Sequence, residues 1–146
     1  MTYHGKYKVK NPRKYKGNPN NVRYRSSWER QVFRWCESTP EVIKWNSEEV
    51  VIPYRCKTDG QMHRYFVDLY LEMANGNIYL IEIKPHAQTQ PPTVSKRKTR
   101  KYLNEVMTYA KNISKWEKAH EVCESRGWIF QVWTEETIKN LGIKLI

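Results

Sequence analysis

The sequence predicts an α/β fold, with a mixed central sheet and helices on its faces. Three observations point there. Two strand-like runs, 64–72 and 78–84, flank an Asn75-Gly76 turn and read as a hairpin. A helical pattern precedes the hairpin and a longer one follows it. A further apolar run, Trp128 to Trp133, comes after the long helix, so helices and strands alternate along the chain.

Taken in order, residues 1–25 carry eight Lys or Arg and no acid, broken by Pro12, Pro19, Gly5 and Gly17. With Tyr3, Tyr7, Tyr15 and Tyr24 interleaved, the segment reads as an extended basic arm, and residues 26–146 as the folded domain. Ser26 begins a helix running to about Glu37, with Trp28, Val32, Trp35 and Cys36 at helical spacing and Thr39-Pro40 ending it. Glu29, three residues after Ser26, completes a capping box and also shares the inward side of that helix. Two apolar pieces follow, Val42 to Trp45 and a strand at Glu49 to Tyr54, then a turn at Asp59-Gly60 into the hairpin. Pro85 ends the hairpin, and His86 to Val94 is a loop. The long helix opens on the basic run Lys96 to Lys101 and carries an apolar stripe from Tyr102 to Cys123. Ser114 and Glu117 form a second capping box, which suggests a break near Asn112. Gly127 terminates it, and Thr134 caps a last helix, Glu135 to Leu141.

What sets the hairpin apart is charge inside apolar runs: Asp68 in the first strand, Glu82 and Lys84 in the second. Burying a carboxylate without compensation costs about 1–3 kcal/mol by mutational measures, and a divalent cation is one way to compensate it. Turn parity decides whether these groups meet. A two-residue loop sets Asp68 opposite Ile83 and sends Asp68 and Glu82 to opposite faces, because a slip of one residue flips every side chain. A three-residue loop, Ala74-Asn75-Gly76 with Gly76 left-handed, pairs Tyr70 with Leu80, Asp68 with Glu82 and Phe66 with Lys84. We take the three-residue loop.

The chain has 146 residues, six Trp and ten Tyr, enough for a single aromatic-rich core. Its formal charge of +11 favours a polyanionic partner, most simply nucleic acid. Cys36, Cys56 and Cys123 include no close pair, which excludes a disulfide framework and a zinc ribbon and fits a reducing compartment. No stretch is apolar enough to span a membrane. Asp68, Glu82 and Lys84, with Glu29 added, make a hard-oxygen site for Mg²⁺ (Mn²⁺ substituting) beside an amine, suited to phosphodiester hydrolysis. The expected nucleic-acid-binding groups are Lys6, Lys8, Lys10, Arg13, Lys14, Lys16, Arg23 and Arg25 of the arm and Lys96, Arg97, Lys98, Arg100 and Lys101 of the helix.

Asp68 followed by Glu82-Ile83-Lys84 after an apolar run resembles the signature of the PD-(D/E)xK nuclease superfamily. Ser26-Ser27-Trp28-Glu29-Arg30 resembles the helix that supplies a further acid in its TnsA-like branch. Val67 stands where the signature often has Pro. The chain as a whole resembles the head-completion nuclease family of T-even-like tailed phages. That resemblance implies a restriction-endonuclease-like fold and a Mg²⁺-dependent DNA endonuclease. Asp68, Glu82 and Glu29 would be metal carboxylates and Lys84 the catalytic lysine. It further implies action on packaged DNA at the portal before the tail joins, portal or neck proteins as partners, and a place in the host cytoplasm during assembly. Two alternatives are a non-catalytic DNA-binding virion protein and a nuclease subunit of a transposition complex. A pure binder gains nothing from carboxylates beside its phosphate track.

Overall fold

The fold is that of a computed structural model describing residues 4–94 and 97–145. Two expectations, Tyr3 in the arm and Lys96 in the basic run, lie outside the described residues. The elements are β1 (Gly5–Tyr7), β2 (Val22–Tyr24), α1 (Ser27–Ser38), β3 (Val42–Asn46), β4 (Val51–Arg55), β5 (Met62–Phe66), β6 (Leu69–Met73), β7 (Ile78–Ile83), α2 (Arg100–Arg126), β8 (Ile129–Trp133) and α3 (Glu135–Asn140). The central sheet runs β3-β6-β7-β8. Its first three strands are antiparallel, and β8 is parallel to β7, reached by the α2 crossover. The sheet is therefore mixed, as expected.

Alternation along the strands divides the core. Leu69, Leu71, Ile81 and Ile83 pack with Val32, Phe33 and Cys36 of α1 and with Ile138 of α3. Tyr70 and Leu80 face the other way, against Ala119 and Cys123 of α2 and against Ile52, Tyr54 and Tyr65 of the β4–β5 ribbon. α1 forms where Ser26 accepts the Glu29 N–H at 3.2 Å. It buries Glu29, Val32, Phe33 and Cys36, at steps of three and four.

The β6–β7 turn settles the register. Tyr70 pairs with Leu80, the Met73 N–H meets Asn77 O at 2.9 Å, and Gly76 has φ 91°. The loop is thus Ala74-Asn75-Gly76, the three-residue alternative. A β-carbon at Gly76 meets nothing within 4 Å, so substitution there strains only the backbone. Gly76→Ala is expected to destabilise the protein by about 1–2 kcal/mol, the cost of holding an L-residue left-handed, read from the urea midpoint.

Three expectations need correction. First, residues 4–25 are not an extended arm. β1 and β2 pair with each other, and Tyr7, Val9, Tyr15 and Val22 are buried against Phe33 and Trp45. The Tyr7 and Tyr15 rings meet the Trp45 indole edge-on, at 6.1 and 4.8 Å. Second, the run 64–72 is not one strand. The Val67 N–H donates to Val50 O and its carbonyl accepts the Glu48 N–H, both at 3.0 Å, and there the chain leaves the β4–β5 ribbon for the central sheet. Phe66 consequently pairs with Val51 rather than Lys84, and the Lys84 N–H bonds Trp133 O. Third, α2 is one helix of 27 residues with no break at Asn112. Ser114 does not cap: its hydroxyl donates back to Ala110 O at 3.0 Å and accepts the Lys57 N–H at 3.2 Å. Thr99 starts the helix, and left-handed Gly127 stops it.

Candidate active site

Asp68 and Glu82 come together at the end of the β6–β7 hairpin, next to the sheet switch at Val67. Glu82 is 5% exposed. Its Oε1 accepts the Tyr65 hydroxyl at 2.8 Å and its Oε2 the Trp116 indole N–H at 3.3 Å. Lys84 Nζ lies 3.8 Å from Glu82 Oε2, and its side chain is largely buried. Asp68 Oδ2 accepts the Ile83 N–H at 2.8 Å. Burial, then the Glu82 and Glu29 charges, hold the Asp68 carboxyl well above the usual carboxylate range, against the opposing pull of that N–H.

Glu29 reaches the same place from the first turn of α1. Its backbone is capped by Ser26, while its Oε1 accepts the Arg25 N–H at 3.2 Å, one residue short of a strict capping box. The Glu29 side chain thus faces inward and ties the residue before the N-cap, and the bond back to the Ser26 N–H that a capping box needs is not made. Burial pushes its carboxyl up to about 7, with the Glu48 and Glu82 charges adding and the Arg25 backbone and side chain opposing. Since the ordinary value is 4.5, the folded state takes up a proton between pH 4.5 and 7 that the unfolded chain does not, and stability falls as pH rises through that window. The loss is on the order of 3 kcal/mol. Glu29→Gln keeps an acceptor for the Arg25 N–H and removes the charge. Without divalent ions, the melting-temperature gain of this variant over wild type is expected to grow from pH 4.5 to above 7. Parallel profiles would contradict the burial of a carboxylate here.

Several site residues escaped the sequence reading. Tyr65 and Trp116 hold both Glu82 oxygens. Lys115 stands over the Tyr65 ring, its Nζ 5.6 Å from the centroid, and burial lowers its ammonium pKa. Glu48 takes the Arg25 guanidinium at 2.9 Å from a left-handed backbone, φ 57°. Trp116 was visible as part of the α2 stripe. The adjacent lysine carried no signal, because its approach to Glu82 depends on how α2 crosses the sheet.

The expected nucleic-acid-binding groups divide. Lys14 is spent on the Glu37 and Thr39 carbonyls, at 3.3 and 2.7 Å, closing the end of α1. Lys16 bonds Tyr70 and pairs with Glu72, and Arg25 pairs with Glu48. Lys6, Lys8, Lys10, Arg13 and Arg23 are exposed, as are Arg97, Lys98, Arg100 and Lys101. The backbone N–H groups of Lys10 and Asn11 are tied to Glu37, eight residues along α1 from Glu29 and so about 12 Å away along its axis.

Glu29, Asp68 and Glu82 offer only hard oxygens, and burial and mutual repulsion raise two of them, so the donor set fits a hard divalent cation. The three carboxylates do not close to within 4.8 Å of one another, which suits an ion that keeps several waters. Among the described residues, Cys56, Asp59 and His63 do gather that closely, at the β4–β5 turn. There His63 Nε2 is already 2.8 Å from Asp59 Oδ2, a pair that needs no ion.

Residues 39–135 match the model of the TnsA-like endonuclease N-terminal family, a span holding Asp68, Glu82 and Lys84. The chain is 40% identical over 148 aligned residues to the head completion nuclease of Enterobacteria phage T4, covering 99% of each. No solved structure matches it. The chain belongs to the TnsA-like endonuclease family.

Proposed function

We propose that this protein is a metal-dependent endonuclease that hydrolyses phosphodiester bonds in DNA. The observation that carries the reading is the meeting of Asp68, Glu82 and Glu29, with Lys84 beside them, at the end of the β6–β7 hairpin. Burying three acids together is costly unless a cation completes the site, and a phosphate is then drawn to that cation. Asp68, Glu82 and Glu29 would hold Mg²⁺ or Mn²⁺. When bound, such an ion supplies positive charge opposite the phosphoryl oxygens and lowers the pKa of a water.

The chain's own groups account for the rest. Tyr65 and Trp116 fix the rotamer of Glu82, so that carboxylate is already oriented. Lys84 orients the attacking water and stabilises charge developing on the phosphate. A bond forms from the water oxygen to phosphorus, the bond to the leaving oxygen breaks, and that oxygen leaves with a proton. Arg25, locked to Glu48, bounds the acid cluster on the α1 side.

The T4 relative's name supports a role in head completion. Packaged DNA at the portal, before the tail joins, is then the substrate, and portal or neck proteins are the neighbours during assembly in the host cytoplasm. The test is nicking of supercoiled plasmid by the purified chain. Cutting with Mg²⁺ or Mn²⁺ that stops with chelator is expected. Binding without cutting under every divalent ion would favour the non-catalytic reading.

A further inference from the structure

The N-terminal segment is folded onto the core rather than free to wrap a strand, although Lys6, Lys8, Lys10, Arg13 and Arg23 among its expected cations stay exposed. Beside the acid cluster, a cleft of about 430 Å³ opens between the β4–β5 ribbon and α2, lined by Met62, His63, Arg64, Phe66, Lys111 and Lys115 among others. Arg64, Lys111 and Lys115 make its charged lining cationic, no carboxylate lines the wall, and His63 there is paired with Asp59 at 2.8 Å. Among the described residues, no acid lies within ion-pair distance of Arg64, Lys111 or Lys115. Phe66 is 42% exposed, with the Arg64 guanidinium 5.4 Å from its ring centroid. An exposed phenyl flanked by cations is the make-up of a base-stacking platform on a phosphate track. Phe66 also lines a second cleft that contains Arg23 and Arg25. Glu48 and Glu49 share that second cleft, but Glu48 is paired with Arg25, and Glu49 takes the Tyr15 hydroxyl at 2.9 Å.

The route to the chemistry is short. Phe66 stands two residues before Asp68, and its neighbour Tyr65 holds Glu82. Lys115 lies over Tyr65, and its own neighbour Trp116 holds Glu82 as well.

We propose that this cleft seats unpaired nucleotides of the strand to be cut, with a base stacked on Phe66 and flanking phosphates on Arg64, Lys111 and Lys115. A phenyl group reaches the face of a duplex base only by unstacking it, at a cost of a few kcal/mol per step, so the preferred substrate is single-stranded or frayed DNA. The proposal rests on the endonuclease reading only for its purpose; binding is measurable without cutting.

The experiment is fluorescence anisotropy with a labelled single-stranded oligonucleotide and its duplex, in chelator, using the full chain. Phe66→Ala is expected to weaken single-strand binding by about tenfold, within the range for losing one stacked base, and duplex binding much less. Phe66→Trp should restore it. Lys111→Glu should weaken both probes and flatten the salt dependence, while Lys139→Glu on α3 should change neither. Unchanged single-strand affinity in Phe66→Ala and Lys111→Glu would overturn the cleft while leaving plasmid cleavage standing. A Phe66 effect in a wild-type chain that never cuts would keep the cleft and overturn the nuclease. Equal weakening of polyglutamate and oligonucleotide binding by Lys111→Glu, with Phe66→Ala inert, would mark a general anion surface and also overturn the proposal.

Discussion

Asp68→Asn is expected to lower metal-dependent plasmid nicking by about 10²–10³-fold, the loss typical of removing one preorganised electrostatic group, while raising the melting temperature measured without metal. The two effects share one cause. Asp68 is half-buried beside Glu82 and Glu29, and its charge is disfavoured in the folded chain. An asparagine keeps the oxygen that accepts the Ile83 N–H and removes the repulsion. Glu82→Gln is a poorer probe. Both Glu82 oxygens accept protein donors, so an amide NH₂ would be turned against Tyr65 or Trp116 and the site would shift. Lys84→Ala should match the Asp68 loss of nicking without the thermal gain. Nicking rates for Asp68→Asn and Lys84→Ala within a few-fold of wild type would remove both residues from the chemistry.

Deleting residues 1–25 is expected to unfold the protein rather than only weaken its hold on DNA. The segment buries Tyr7, Val9, Tyr15 and Val22 against Phe33 and Trp45. Full burial of such side chains stabilises by about 1.5–3 kcal/mol each, and four together rival the 5–15 kcal/mol that holds a typical domain folded. The deletion also strips the Lys14 contacts from the end of α1 and exposes the Trp45 ring. Loss of a cooperative thermal transition by circular dichroism is the predicted result. A truncated chain melting within a few degrees of wild type would show that the first 25 residues are an appendage after all.

That contrast shows which physics the sequence makes legible. The hairpin and α1 could be read because their signals are local. An Asn-Gly turn, a Gly able to adopt positive φ and a Ser26–Glu29 cap all act within a few residues. Convergence of Asp68 with Glu82 followed from strand parity once the turn length was chosen. The N-terminal segment was misread because its strands have three residues each, too few to show a period, and its buried Tyr7 and Tyr15 find Trp45 far along the chain, beyond α1. Its lysines dominated the composition, although Lys14 and Lys16 are structural. The apolar stripe of α2 was overextended for a related reason. Periodicity marks a face but not how much of the helix is covered, and Val106 and His120, both on the stripe, are exposed. The change of sheet at Val67 had no local marker, since both halves of 64–72 are strand-like. Tyr65, Trp116 and Lys115 joined the site only through that change and the path of α2.

The most direct test of the account is where a divalent ion binds. Calorimetric titration of Mn²⁺ into the wild-type chain should show a site that is lost in Asp68→Asn and strongly weakened in Glu29→Gln, yet kept in a Cys56→Ser, His63→Ala double variant. Mn²⁺ binding that survives Asp68→Asn and disappears in the double variant would place the ion at the β4–β5 turn and contradict the carboxylate site.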